Sequence, residues 1–514
     1  MTKSYVKRKD KDLVDVNGNP FTLQGVGIGG WLLIEGYMIK SLKELDRPRR
    51  IESFIEKHKS IEFKDNFMRQ WREKYFTTKD VEYIKKQGFN SIRIPIDYQF
   101  LFLASEENNE LESIDQNFKL LDYILDFCEE KQMYVILDLH AAPGGQTGTN
   151  IDNSKNDLPE LFMNEMYRKQ FLFIWNTLAE RYKEYQYIAA YDLINEPLPK
   201  WQSKYNDMLV ALYQETIQTI RDVDSNHMIT LEGLHWSTNL TCFTELLDEN
   251  ILVQFHKYWS NPDKESIQEY IDVSDALNVP LFMGEGGENN NKWYSTMFKL
   301  YDQLNISYNF WTYKKMDNRN SIVSFEMPTK WQAFLKGELN QEESECALNE
   351  LLENISFDRS RYNQSVVNHI QRKGAFTSKG FGFDFYGEGI SKNSLGKNES
   401  SFRKTENIRI ASRNNTLIEP NFRKYAGENQ LPDEDLFVYL KRNEWVDYTF
   451  YRKDTKYVGV IVLPNVETNL VQILINGNRI TPTNQGYIYI KEQEKNVLRI
   501  IALEDCVIGD IVFQ

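Results

Sequence analysis

Two glutamates carry the clearest chemical signal in the chain. Glu196 lies in Tyr191-Asp192-Leu193-Ile194-Asn195-Glu196-Pro197 and Glu285 in Pro280-Leu281-Phe282-Met283-Gly284-Glu285-Gly286, 89 residues apart. Each stands just past a short apolar run, so a fold that gathers strand ends brings both acids to one place. Paired carboxyl groups suit cleavage of a glycosidic bond, because one protonates the leaving oxygen while the other attacks or stabilises the anomeric carbon. For that division of labour Glu196 has to be protonated near neutrality, its pKa lifted by apolar packing and by the charge of Glu285. Glu285 has to stay ionised.

The elements that position them repeat with one rhythm from about residue 21 to 315: a short apolar run, a polar loop, then a stretch of helical period. The strand candidates are Thr22–Gly27, Ser91–Ile96, Tyr134–Leu139, Ala189–Ile194, Met228–Glu232, Leu252–Phe255, Pro280–Gly284 and Ser307–Trp311. Most are continuously apolar rather than alternating, as parallel strands buried on both faces require. Helices are expected over Asn117–Lys131, Met163–Tyr185, Tyr205–Asp222, Lys264–Leu277 and Lys292–Leu304, and a capping box at Thr77-Thr78-Lys79-Asp80 opens another that Gly88 stops. Eight strands alternating with helices predict an α/β fold, a (β/α)8 TIM barrel. The loop after the first strand is long, from Gly30 to about Phe76, with a charged helical stretch near Ile51–Lys59.

Near Gly374 the character changes. Short alternating runs follow, at Phe437–Leu440, Val446–Phe450, Tyr457–Val462, Val471–Ile475, Tyr487–Ile490, Val497–Leu503 and Val507–Phe513, with Asn476-Gly477-Asn478 as a turn. This pattern predicts a smaller antiparallel β-sandwich. The expected division is a barrel domain over 1–375 and a sandwich over 380–514.

Catalytic groups on a barrel come from the C-terminal ends of its strands. Besides the two glutamates, those ends carry Arg93 on the second strand, His140 on the third, Asn195 on the fourth, His256 and Tyr258 on the sixth and Trp311 on the eighth. Singly, each reads as a satisfied buried group; in register they read as a site. Arg93 is the natural partner to keep Glu285 ionised, Tyr258 suits a hydrogen bond to the same carboxylate, and Trp311 suits a floor beneath a sugar ring.

This set resembles glycoside hydrolase family 5, retaining β-glycosidases on a (β/α)8 barrel, over roughly residues 20 to 340. The resemblance implies that Glu196 is the acid/base and Glu285 the nucleophile, with Arg93, His140, Asn195, His256, Tyr258 and Trp311 around the substrate. Gly29-Gly30-Trp31-Leu32-Leu33-Ile34-Glu35 and Leu137-Asp138-Leu139-His140-Ala141-Ala142-Pro143-Gly144-Gly145-Gln146 look like the exo-β-1,3-glucanase branch. That likeness implies that Glu35 and Asp152 help to bind a terminal glucose. The chain departs from the branch at Gly27, where it usually has Asn, and at Thr149-Asn150-Ile151, which lengthens the loop before Asp152. In the C-terminal part, Asn443-Glu444-Trp445-Val446-Asp447-Tyr448-Thr449-Phe450 and Gly509-Asp510-Ile511-Val512-Phe513 resemble carbohydrate-binding modules of families 6 and 35.

Composition narrows the partners. A net charge of −14 argues against nucleic acid, whose binding depends on clustered Lys and Arg. No apolar run approaches the roughly 20 residues of a membrane span. The N-terminus has positive charge but no apolar segment behind it, so the expectation is a cytoplasmic protein. Four widely spaced cysteines, Cys128, Cys242, Cys346 and Cys506, form no metal or redox pattern. No cofactor or metal is expected, and the partner is a β-glucan oligosaccharide or β-glucoside. Trp201, Trp236, Trp259 and Trp293 fall in loops near strand ends, where they suit either aromatic sugar subsites or ordinary packing. The function expected is hydrolysis of short glucans or glucosides by double displacement. An endo-β-glucanase and a non-catalytic carbohydrate-binding protein are the alternatives.

Overall fold

The computed structural model describes the chain except for residues 1–4, 106–109, 398, 423–434, 453–458, 465, 484–485 and 491–493. The described residues form two compact units. The first comprises Met1–Lys257, Tyr270–Gly286 and Ser307–Tyr362, and the second Tyr258–Glu269, Gly287–Ile306 and Asn363–Gln514.

The first unit is built on a closed parallel barrel of eight strands, numbered here β1 (Gln24–Gly27), β2 (Ser91–Asp97), β3 (Tyr134–Ala141), β4 (Ile188–Asp192), β5 (Met228–Glu232), β6 (Ile251–His256), β7 (Leu281–Gly287) and β8 (Ser307–Trp311). Each run singled out in the sequence becomes a strand, and β5 and β8 have the predicted limits. Every residue of β2 and β3 is buried, which is why their sequences are apolar without alternation.

The two ends of the barrel differ in chemistry. At the N-terminal end Leu23, Ile136, Ala190, Met228, Leu252 and Phe282 form one apolar cluster, capped by Val6 and Leu13 from an antiparallel hairpin that precedes β1. At the C-terminal end the register sets Asp138 beside Asp192, Glu232 beside Gln254 and His256 beside Glu285. The apolar end supplies the burial that holds the ring closed, so polar groups can be concentrated at the other end.

The long loop after β1 holds two helices, Pro48–His58 and Ile61–Tyr75, where the sequence suggested one. The capping box opens helix Thr78–Lys86: the Asp80 carboxylate accepts the Thr77 N–H at 2.8 Å, and Gly88 takes the left-handed φ of 99° that ends the element.

The second unit contains antiparallel sheets of five and four strands. Phe450 of the five-stranded sheet packs on Phe513 of the four-stranded one with centroids 4.7 Å apart, so their inner faces meet as a sandwich. The predicted turn is a two-residue hairpin in which Asn476 and Gly477 both have positive φ, and Ile475 pairs with Asn478. The predicted run Val507–Phe513 is two strands, Cys506–Ile508 and Ile511–Phe513, broken at Gly509-Asp510. Tyr457 and Val458, at the start of another predicted strand, lie outside the described residues, as do Met1–Ser4.

The second unit takes in Gly287–Ile306 as well as Asn363–Gln514. The cause is packing of the helix Asn291–Gln303: Lys299 Nζ donates to Gly382 O at 2.7 Å and lies 3.2 Å from Asp384, and Lys292 pairs with Asp510 at 2.7 Å.

Candidate active site

Arg93 organises the C-terminal end of the barrel. Fully buried on β2, it reaches Asp192 at 2.8 Å, Glu285 at 2.6 Å, Glu232 at 3.0 Å and Asp138 at 3.1 Å, and donates to Asn195 Oδ1 at 2.9 Å. Burial disfavours its charge, but the four carboxylates outweigh that and hold its pKa well above the ordinary value. Its guanidinium offers a rigid planar fork, which is what lets one cation serve acceptors from four strands.

Glu196 adopts a left-handed backbone (φ 44°) just beyond β4. That conformation costs a non-glycine residue free energy, and the carboxylate of Glu232 offsets it by accepting the Glu196 N–H at 2.7 Å. Glu196 Oε1 lies 2.8 Å from His256 Nδ1, and the other ring nitrogen faces Glu232 at 3.3 Å. Burial raises the pKa of Glu196, His256 opposes the rise, and Glu285 and Glu232 add to it; the net direction is upward. His256 is itself driven well above its ordinary pKa, since Glu232 and Glu285 outweigh its burial.

Carboxylate oxygens of Glu196 and Glu285 and a ring nitrogen of His256 all lie within 4.8 Å of one another. Such a trio is compact enough to ligate one cation. The Arg93 guanidinium, hydrogen-bonded to Glu285, already places positive charge there.

Asn195 is oriented by Arg93, and its Nδ2 lies 3.2 Å from His140 Nε2. That contact is a hydrogen bond when His140 carries its proton on Nδ1, toward Asp138 Oδ2 at 2.6 Å. The His140 ring stacks on Trp311 at 5.7 Å and 4°. Trp311 donates from Nε1 to Tyr37 Oη at 2.9 Å, in the turn Gly36–Ile39 that Glu35 precedes. Gly27 is explained by this ring: a Cβ there would stand 2.6 Å from Trp311 Cε3, so a side chain at that position would displace the indole.

Arg93, His140, Asn195, Glu196, His256, Glu285 and Trp311 are therefore linked by direct contacts, and Glu35 is buried two residues before Tyr37, the hydrogen-bond partner of Trp311. Tyr258 is partly buried two residues past β6, in the second unit, its ring 5.6 Å from Trp259. Asp152 lies in the loop after β3. Fully buried, it spends its carboxylate on its own loop, accepting from Thr147 N at 2.8 Å, Gly148 N at 2.9 Å and Ser154 N at 3.0 Å, with Arg47 3.9 Å away. Three site residues escaped the sequence reading: Asp192, Glu232 and Gln254. Gln254 donates to Asp192 at 2.9 Å and also to Glu232. Their signal was present, since each is polar within an otherwise apolar strand.

The family model for cellulase, glycosyl hydrolase family 5, matches residues 55–317, just over half of the chain. The chain belongs to glycosyl hydrolase family 5. Relatives within reach of family 5 include the beta-xylosidase of Phanerodontia chrysosporium, 28% identical over 258 residues that cover 50% of this chain and 52% of that protein. The probable glucan 1,3-beta-glucosidase A of Emericella nidulans is 25% identical, covering 51% of this chain and 66% of the relative. Endoglucanase C of Acetivibrio thermocellus is 23% identical, covering 49% and 88%. The chain spans about half the length of the first of these relatives (52%). No helix among the described residues is long and apolar enough to cross a membrane.

The electrostatic coupling of the pair is directly measurable. Glu285→Gln removes a negative charge that raises the Glu196 pKa, so in a carbon-13 titration of the glutamate carboxyls Glu196 is expected to titrate at lower pH in the variant than in the wild type. An unchanged midpoint would show that the two groups do not sense each other.

Proposed function

We propose that this family 5 chain is a retaining β-glycosidase acting on β-glucosidic bonds of short glucans or glucosides by double displacement. The observation that carries this reading is the approach of the Glu196 and Glu285 carboxylate oxygens to within 4.8 Å. Retaining glycosidases hold the two groups about 5–5.5 Å apart, whereas inverting ones leave roughly 6.5–9.5 Å for a water.

In the first step Glu285 attacks the anomeric carbon while Glu196, in its protonated form, gives its proton to the leaving oxygen. The glycosidic bond breaks, and the sugar becomes esterified to Glu285. In the second step Glu196, now a carboxylate, takes a proton from water as that water attacks the same carbon, and the ester bond to Glu285 breaks. Arg93, hydrogen-bonded to Glu285 at 2.6 Å, is placed to stabilise this carboxylate when it departs as a leaving group. Asn195, fixed between Arg93 and His140, is suited to bond the sugar 2-hydroxyl, and Trp311 to carry the ring's apolar face.

Exo attack on β-1,3-linked glucose is the finer reading, favoured by the likeness of the Gly29–Glu35 and Leu137–Gln146 segments to that branch. Asp152 adds no support to it, being occupied within its loop. Proton NMR of the first-formed product from an aryl β-glucoside is expected to show the β-anomer, with the α-anomer appearing only by later mutarotation. Initial release of the α-anomer would exclude double displacement. No turnover of any β-glucoside would exclude the activity.

A further inference from the structure

Asp138 is fully buried and takes part in no step of the double displacement. It stands two residues before His140 on β3, so both side chains leave the same face of the strand. Its contacts converge on one oxygen: Oδ2 lies 2.6 Å from His140 Nδ1 and 3.1 Å from Arg93 Nη2, while Oδ1 is buried without a hydrogen-bond partner. The same Arg93 nitrogen donates to Asn195 Oδ1 at 2.9 Å, and Asn195 Nδ2 lies 3.2 Å from His140 Nε2. Arg93, Asn195, His140 and Asp138 therefore form a closed ring of polar contacts. One member sets its polarity. A guanidinium only donates, so Asn195 has to present its oxygen to Arg93 and an amide N–H to His140. His140 Nε2 must then accept, which puts the ring proton on Nδ1, where Asp138 Oδ2 accepts it. Burial lowers the His140 pKa and Asp138 raises it, with the rise prevailing. A second proton on Nε2 would nonetheless set two donors against each other across 3.2 Å. The order of donors holds only with a neutral imidazole.

The backbone leaves little freedom to relieve a reversal of that order. Gln146, itself fully buried, donates from Nε2 to His140 O at 2.6 Å and to Asn195 O at 2.9 Å, and its Oε1 accepts from Ala142 N at 3.2 Å. The main chains of His140 and Asn195 are stapled together through one side chain. With both held, the ring of polar groups decides how the Asn195 amide is turned. An amide nitrogen carries two hydrogens, so with one engaged by His140 the other remains for a ligand. We propose that Asp138 is a positioning residue: by holding the His140 proton on Nδ1 it keeps an Asn195 N–H turned to the sugar 2-oxygen, so the site selects sugars with a hydrogen-bond acceptor at C2. This proposal rests on the retaining glycosidase reading and adds the group that governs how the 2-position is recognised.

The test has a spectroscopic arm and a kinetic one. Nitrogen-15 shifts of His140 in the histidine-labelled wild type at neutral pH, assigned by their loss in His140→Gln, are expected to show a protonated Nδ1 and an unprotonated Nε2. A proton on Nε2, alone or together with one on Nδ1, would overturn the proposal. The kinetic readout is the ratio of kcat/KM for an aryl β-glucoside to that for its 2-deoxy analogue, in which the intrinsic lability of the deoxy sugar cancels between variants. Asp138→Leu removes the acceptor and is expected to lower this ratio roughly tenfold, the effect of losing one well-aligned hydrogen bond. Asp138→Asn should recover most of it, because two donors aimed at the Oδ2 position draw the amide oxygen there: the charge goes but the polarity stays. A ratio unchanged in Asp138→Leu, with both substrates slowed alike, would leave Asp138 a support of the barrel and overturn the proposal. A ratio as low in Asp138→Asn as in Asp138→Leu would overturn it too, since charge rather than polarity would then be at work. Should Asp138→Leu not fold, the nitrogen shifts decide. A wild type that turns over neither substrate would overturn the glycosidase reading beneath, a result that the nitrogen shifts do not share.

Discussion

Replacement of Glu285 by glutamine is expected to lower kcat/KM on an aryl β-glucoside by roughly 10⁴-fold or more, because an amide cannot form the covalent intermediate. Glu196→Gln should cost about 10² to 10⁴, most on substrates with poor leaving groups, since only the proton transfer is lost. Magnitude alone does not separate the two roles; stereochemistry does. With Glu285→Gly, azide can enter the space left by the carboxylate and attack the anomeric carbon from the nucleophile's side. The product is then an α-glycosyl azide, formed in a single displacement. With Glu196→Gly the ester to Glu285 still forms, and azide attacks it from the opposite face to give a β-glycosyl azide. Opposite products from the two variants would exchange the assignments of the glutamates, and no azide adduct from either would remove both from the chemistry.

The barrel was legible because its strands have to be buried on both faces. A run such as Tyr134-Val135-Ile136-Leu137 leaves little else to predict, and the residue following each run is thereby placed at the mouth. That logic points to His140, Glu196, His256 and Glu285. Applied to single strand residues it also reaches Glu232, which closes Met228-Ile229-Thr230-Leu231-Glu232 as plainly as Glu285 follows its own run, and Asp192 in Tyr191-Asp192-Leu193. Reading the residues beyond each run passes over both because each lies inside one, Asp192 within Ala189–Ile194 and Glu232 as the last residue of Met228–Glu232. Asp152 illustrates the converse. A short motif matched, but whether a carboxylate faces a ligand or its own loop depends on backbone N–H directions, which composition does not reveal; here Thr147, Gly148 and Ser154 point theirs at it. The tryptophans divide for a similar reason. Trp293 is buried with its Nε1 donating to Ser260 O at 2.8 Å, ordinary packing, whereas Trp201 is left in solvent.

Loss of the buried cation should be the most damaging single change to the fold's polar end. Arg93→Met conserves much of the volume but leaves Asp138, Asp192, Glu232 and Glu285 without their shared counter-ion. Breaking a buried pair in this way costs about 3–5 kcal/mol, because the abandoned charges have no solvent to turn to. The pH dependence identifies the cause. Burial already raises the pKa values of Asp138 and Asp192, with Arg93 the largest opposing influence, and Arg93 also helps to hold Glu232 below its ordinary value. Removing Arg93 moves all three upward in the folded state only. An acid whose folded pKa lies above its unfolded one binds its proton more tightly when folded. Its contribution to stability is present below the unfolded pKa and is lost as pH rises through the folded one. The stability deficit of Arg93→Met relative to the wild type, read from urea unfolding at several pH values, is therefore expected to be small near pH 4 and to widen toward pH 8. Arg93→Lys should fall between the two, since an ammonium keeps the charge but cannot fork to four carboxylates. A deficit that stayed constant across that range would mean that Arg93 acts through packing, and that the acids at the barrel mouth carry their own protons.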